Sequence, residues 1–236
     1  MVLKGFAKSR EQANSILMTG KVFADNKRVE KAGQQVSQNS KIEIKVKKNP
    51  WVSRGGIKLS KAISEFNLDC NSIIALDIGA STGGFTDVLL ANGASKIYAV
   101  DVGYGQLDWK LRQDERVVVK EKTNARYLTD EIIQDTLDAL VCDASFISLK
   151  KVLPSGLGFL KSHGWLVALI KPQFEVGKGL VGKGGVVRDP KLHSAVINDI
   201  TKWIEFEIKM NILGVVESPI LGPSGNKEFL IVATKM

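Results

Sequence analysis

Residues 73–87 read Ile73-Ile74-Ala75-Leu76-Asp77-Ile78-Gly79-Ala80-Ser81-Thr82-Gly83-Gly84-Phe85-Thr86-Asp87. A short apolar run meets a carboxylate, then breaks into glycines and small hydroxyl residues before apolar residues resume. An apolar run of that length, without polar alternation, suits a strand buried on both faces. The form recurs in Ile97-Tyr98-Ala99-Val100-Asp101 and Ala139-Leu140-Val141-Cys142-Asp143, and again, closed by a base, in Leu166-Val167-Ala168-Leu169-Ile170-Lys171. Helix-compatible stretches lie between these runs, including 85–92, 129–136 and 149–162. Buried strands alternating with helices predict a doubly wound α/β sheet, mostly parallel and Rossmann-like. A helix is expected from Pro190 to about residue 208, then strands at 212–217 and 229–234. The short turn between those strands, Gly222-Pro223-Ser224-Gly225-Asn226, permits antiparallel pairing only, so the sheet should close on an antiparallel hairpin.

Upstream the rhythm differs. Ser9 followed three residues later by Gln12 is a capping-box pattern, Ala13, Ile16 and Leu17 share a helical face, and Gly20 suits the stop. Val22-Phe23-Ala24, Asp25-Asn26 and Arg28-Val29 read as a hairpin, and Lys41-Ile42-Glu43-Ile44-Lys45-Val46 alternates as a half-buried strand does. We therefore expect a small α+β domain at 1–47, a linker at 48–53 around Pro50, and the large domain at 54–236.

The charge is uneven. The chain of 236 residues carries +8, yet residues 1–52 hold 11 Lys/Arg against 4 Asp/Glu, and the rest hold 22 against 21. A small basic module on a nearly neutral body points to nucleic acid, with a solvated surface as the plain alternative. No stretch approaches the ~18–20 apolar residues of a spanning helix, and the N-terminus has no signal-peptide core, so no membrane partner and a cytoplasmic location are expected. Two distant cysteines and two histidines exclude a Cys-rich zinc site, and no metal is expected.

The 77–87 loop is neither a Walker motif nor a clean dinucleotide fingerprint. With Asp101 placed to accept ribose hydroxyls, it suits S-adenosylmethionine and a nicotinamide dinucleotide alike. Asp143 and Lys171 end later strands on the same side of the sheet. A lysine there gives up hydration of its charged form, which is one way a lysine becomes a general base. A structural Lys–Asp pair is the alternative. Lys58, after two glycines at a helix start, and Glu228, opening the last strand, would each pass singly for surface charge.

Taken in order, Lys58, Asp143, Lys171 and Glu228 resemble the Lys-Asp-Lys-Glu tetrad of ribose 2′-O-methyltransferases with the FtsJ-like fold. Ser53-Arg54-Gly55-Gly56-Ile57-Lys58-Leu59, the 77–87 loop, Glu121-Lys122-Thr123-Asn124-Ala125-Arg126, Cys142-Asp143-Ala144-Ser145-Phe146-Ile147-Ser148-Leu149 and Ile170-Lys171-Pro172-Gln173-Phe174-Glu175 resemble the TlyA family more closely. Members of that family carry two names, hemolysin and rRNA cytidine 2′-O-methyltransferase, and the likeness covers nearly the whole chain. The basic module is similar to the family's N-terminal RNA-binding motif of the ribosomal-protein-S-four type. Two departures stand out. The sequence starts without the Arg-Leu-Asp-type stretch that usually opens the module in the family, and on the resemblance its first helix would then be expected to be incomplete. Lys122 stands where many relatives have Arg.

The resemblance implies S-adenosylmethionine as methyl donor, held by Asp77, Gly79, Ala80, Ser81, Thr82, Gly83, Gly84 and Phe85, with Asp101 at the ribose, Thr123 and Asn124 near the adenine and Asp143 beside the sulfonium. It implies Lys171 as base, oriented by Asp143, with Lys58 and Glu228 positioning the hydroxyl and completing the charge network. Lys8, Arg10, Lys21, Lys27 and Arg28 would bind RNA, with Arg54 nearer the cleft. The partner would be ribosomal RNA in ribosomal subunits, the protein most simply a monomer, and the glycine-rich segment 177–185 a mobile loop over the site. Rival readings are an RNA-binding protein without turnover, a membrane-lytic hemolysin and a nicotinamide-dependent oxidoreductase. The absent export signal and apolar span speak against the second, and the basic module goes unexplained by the third.

Overall fold

The computed structural model describes residues 1–7, 9–18, 20–44 and 49–236. The chain divides into two compact units, Met1–Lys48 and Asn49–Met236. The first holds helix α1 (Arg10–Met18) and strands β1 (Val22–Ala24), β2 (Lys27–Arg28) and β3 (Ile42–Ile44), in an antiparallel sheet ordered β2-β1-β3. Asp25 and Asn26 turn the hairpin with φ of 46° and 64°, a left-handed pair that short polar side chains tolerate. The Asp25 carboxylate accepts the Lys41 N–H at 2.8 Å, tying the turn to the start of β3. Val22, Ala24 and Val29 form the small core, against which Ile16, Leu17 and Ile42 pack. Of the strand expected at 41–46, Lys45 and Val46 lie outside the described residues, as does Lys48 of the expected linker.

The second unit runs α2 (Gly55–Phe66), β4 (Ile74–Ile78), α3 (Gly84–Ala91), β5 (Lys96–Val100), α4 (Trp109–Arg112), β6 (Val117–Lys120), β7 (Leu137–Cys142), α5 (Leu149–Gly158), β8 (Leu160–Ile170), α6 (Pro172–Glu175), α7 (Pro190–Lys202), β9 (Met210–Glu217) and β10 (Phe229–Lys235). Its seven strands lie in the order β6-β5-β4-β7-β8-β10-β9. β4 to β8 are parallel, and β10 is antiparallel to both its neighbours. Both faces are covered, which is why the strands read as unbroken apolar runs. Leu76, Tyr98, Leu140 and Leu166 enter one core with α5 and α7, while Ala75, Ile97, Val141 and Val167 enter the other with α2 and α3. The chain winds outward from β4 to β6 and then returns to β7 on the other side of β4. That reversal opens a crevice at the carboxyl ends of β4 and β7, where such sheets bind ligands.

Two helices fall short of expectation. Residues 129–136 form no helix: a single turn at Thr129 is followed by irregular chain, in which the Asp135 carboxylate accepts Lys96 Nζ at 2.6 Å and Tyr98 Oη at 2.5 Å. Side chains on β5 hold the segment, and Ile133 is buried beneath it. The helix expected at 149–162 ends at Gly158, because the chain from Leu160 joins β8. The stretch 190–208 is α7 continued by a π-helical turn, Trp203–Glu207.

Candidate active site

Four charged side chains meet at the crevice. Lys58 lies in the first turn of α2. Asp143 directly follows β7, its N–H donated to Ile78 O at 3.0 Å. Lys171 directly follows β8. Glu228 precedes β10, and because Phe229 pairs with Ile170 the antiparallel register sets Glu228 beside the end of β8. Lys58 Nζ is 2.8 Å from Glu228 Oε2 and 3.2 Å from Asp143 Oδ2, and Lys171 Nζ is 2.6 Å from Asp143 Oδ1. Carboxylates and ammoniums thus alternate, Glu228–Lys58–Asp143–Lys171. Glu228 is 0% exposed, Lys171 5% and Lys58 7%, so each charge depends on its neighbour for what water no longer supplies. A Cβ at position 222 would collide with Glu228 Oε1, so Gly222 is required by the buried carboxylate.

Two clefts join at this chain. One, of about 420 Å³, is lined by Arg54, Lys58, Gly79, Ala80, Thr82, Gly84, Phe85, Lys171 and Leu221. The other, of about 340 Å³, is lined by Asp101, Val102, Gln106, Thr123, Asn124, Phe146 and Ile147. Gly79, Ser81, Asp143 and Ser145 line both. Gly79 has φ of 79°, and a Cβ there would come within 3.0 Å of the Ala144 backbone. The glycine therefore keeps the wall between the clefts thin. Asp101 accepts the N–H of Ser81 at 2.8 Å and of Gly103 at 2.7 Å, one on each oxygen, which leaves lone pairs for hydroxyls in the second cleft.

Two residues of the glycine loop take other places than expected. Asp77 lies within β4, fully buried, and accepts the Thr86 hydroxyl at 2.7 Å rather than facing either cleft. Burial, with Asp143 and Asp101 nearby, pushes its carboxyl up to about 7. Gly83 packs against Leu107 and Leu111, so its φ of 93° serves the turn into α3 rather than a ligand contact. Cys142 is fully buried and its thiol is pushed up to about 12, an inert position.

The segment 177–185 makes contacts at its C-terminal end. Gly182 bridges to Val186, Asn226 Nδ2 donates to Gly185 O at 3.0 Å, and the Val187 N–H is donated to Asn226 Oδ1 at 3.1 Å. Among the described residues, none of 177–185 lines either cleft. Arg54 lines the first cleft. Arg10, Lys21, Lys27 and Arg28 are exposed in the first unit, though the Arg28 guanidinium packs over Gly20. Lys8 lies outside the described residues. Ser53, Ser145, Phe146, Gln106 and Leu221 join the site unannounced. The signal for Ser145 and Phe146 was their closeness to Asp143, and for Leu221 its closeness to the turn before Glu228.

A buried, charged junction between two clefts thus lies at the switch point of a Rossmann-like sheet. The FtsJ-like methyltransferase family matches residues 51–235. The 16S/23S rRNA (cytidine-2′-O)-methyltransferase TlyA of Mycobacterium tuberculosis is 46% identical over 98% of this chain and 86% of its own length. Hemolysin A of Brachyspira hyodysenteriae is 42% identical over 96% of this chain and 94% of its own length. A solved structure from Streptococcus thermophilus, provisionally named a hemolysin, is 41% identical with a TM-score of 0.81, covering 99% of this chain and 86% of that one. The chain belongs to the FtsJ-like methyltransferases and, within them, to the TlyA family.

Proposed function

We propose that this chain transfers a methyl group from S-adenosylmethionine to a ribose 2′-hydroxyl of ribosomal RNA, on a cytidine as the name of the M. tuberculosis relative states. The observation that carries the reading is the unbroken Glu228–Lys58–Asp143–Lys171 chain at the junction of the two clefts. The residues fit the cofactor. The second cleft offers a carboxylate with free lone pairs at Asp101, apolar walls at Val102 and Ile147, and Thr123 and Asn124 at its edge, as a nucleoside needs. The glycine-lined wall at Gly79, with Ala80, Ser81, Thr82 and Gly84, would hold the amino-acid portion.

S-adenosylmethionine supplies an electrophilic methyl. The protein supplies the base and the alignment. A ribose hydroxyl is a weak nucleophile near neutral pH, and it must reach the methyl in line. Lys171 accepts the hydroxyl proton. Asp143 holds Lys171 in place, and Lys58 holds Asp143 while Glu228 compensates the charge of Lys58. The exposed Arg10, Lys21, Lys27 and Arg28, with Arg54 at the cleft, bind RNA phosphates. The protein works in the cytoplasm, where ribosomal subunits are. No helix among the described residues is long and apolar enough to cross a membrane.

The test is methyl transfer from radiolabelled S-adenosylmethionine to purified ribosomes and separated subunits. Label is expected in rRNA ribose and is expected to vanish with Lys171→Ala. Label in a base, or undiminished label with Lys171→Ala, would overturn the reading.

A further inference from the structure

We infer that the Ser145 hydroxyl is a positioning group for Lys171, holding the amine so that the electron pair left by deprotonation points into the catalytic cleft. The inference rests on the assignment of Lys171 as the base. Lys171 Nζ has three acceptors around it: Asp143 Oδ1 at 2.6 Å, Ser145 Oγ at 2.8 Å and the Asp143 backbone oxygen at 3.1 Å. An ammonium has three N–H donors and no lone pair, so these acceptors engage all three. In that state the lysine takes up no proton.

Losing one proton leaves two N–H groups and one electron pair to distribute among the same three partners. The carboxylate and the carbonyl can only accept, so each retains an N–H. The serine hydroxyl can accept or donate. It is therefore the one partner able to face the electron pair, either by donating to it or by giving way to the substrate hydroxyl. Its placement agrees. Ser145 is exposed and lines both clefts, while Lys171 is 5% exposed and Asp143 is partly buried. In turnover, the proton released as the 2′-oxygen gains its methyl joins the neutral amine. The ammonium then re-forms with its third N–H on Ser145.

The test compares full-length wild type, Ser145→Ala, Ser145→Thr and Lys171→Ala with S-adenosylmethionine and ribosomes. Ser145 is exposed, so the fold should survive the change, and circular dichroism melting checks this. Ser145→Ala should lower kcat by about 10- to 100-fold with both KM values within about twofold, because only the proton-accepting geometry is lost. Ser145→Thr, which keeps the hydroxyl, should recover most of the rate. A second measurement needs no RNA. In protein carrying 15N-labelled lysine, the Nζ signal that Lys171→Ala removes should broaden in Ser145→Ala and persist in Ser145→Thr. Unchanged kcat in Ser145→Ala beside an inactive Lys171→Ala would overturn the inference and leave the base assignment standing. So would an unchanged Nζ signal, or a Ser145→Thr variant as slow as Ser145→Ala. Transfer surviving in Lys171→Ala would overturn the base assignment, and this inference with it.

Discussion

Asp77, Asp101 and Asp143 close three apolar runs that look alike on paper, and they do three different things. Asp77 lies inside β4, level with Ala99 and Val141, where α3 covers the sheet and Thr86 meets its carboxylate. Asp101 and Asp143 stand just past the last residues of β5 and β7, where side chains leave the sheet for the crevice. Two positions along the register therefore separate a buried carboxyl from one at the crevice, and no residue pattern announces that shift. The buried one has a measurable consequence. A free aspartate ionises near 3.8, and Asp77 near 7. Between those values the folded protein keeps a proton that the unfolded chain has released. Stability contributed by this group therefore falls as pH rises through that window and levels off above it. Asp77→Asn keeps an acceptor for Thr86 and cannot ionise. Urea unfolding at pH 5 and pH 8 should show the variant gaining on wild type by about 1–3 kcal/mol between the two, from the ~1.4 kcal/mol that each pKa unit represents. An equal difference at both pH values would show that Asp77 does not titrate there.

At the scale of elements, the crossing of α2 and α3 decides where Lys58 sits. Gly84 opens α3 against the start of α2, and a Cβ on it would meet Ser53 Oγ and come within 2.9 Å of Gly56 N. Gly56 in turn lies under the Trp51 ring, where a Cβ would fall 2.6 Å from Trp51 Cβ. Gly84→Ala should cost about 1–3 kcal/mol in urea unfolding, the usual penalty of overpacking. Methyl transfer should fall by more than the cofactor affinity does, because the displaced helix carries Lys58. A variant as stable and active as wild type would show that the two helices have room to part. Most of the strands were legible because burial on both faces leaves runs of apolar residues that few other structures need. Helices were harder. Residues 129–136 have helical spacing but are held by the Asp135 contacts with Lys96 and Tyr98, which come from a strand some forty residues earlier. The hydrogen bonds of Asn226 with Gly185 and Val187 are equally non-local. The tetrad could be picked out by resemblance, since Lys58 and Glu228 carry no local sign that they meet.

For the whole molecule the unequal charge matters most. With 11 basic against 4 acidic residues in the first 52, RNA binding should weaken steeply with salt. Replacing Lys27 and Arg28 by Glu should lower the slope of log affinity against log salt by about 1–2 and affect all RNA sequences alike. Filter binding between 50 and 200 mM salt reads this directly, and an unchanged slope would remove the hairpin from the RNA surface. The position of β10 has a different consequence. It is the final strand of the sheet along the chain, yet it lies between β8 and β9, with Glu228 at its entrance. While residues 228–235 are still inside the ribosome that is making the protein, β8 and β9 have no strand to join them and Lys58 has no Glu228. The charged chain at the crevice is therefore complete only once that stretch has joined the sheet.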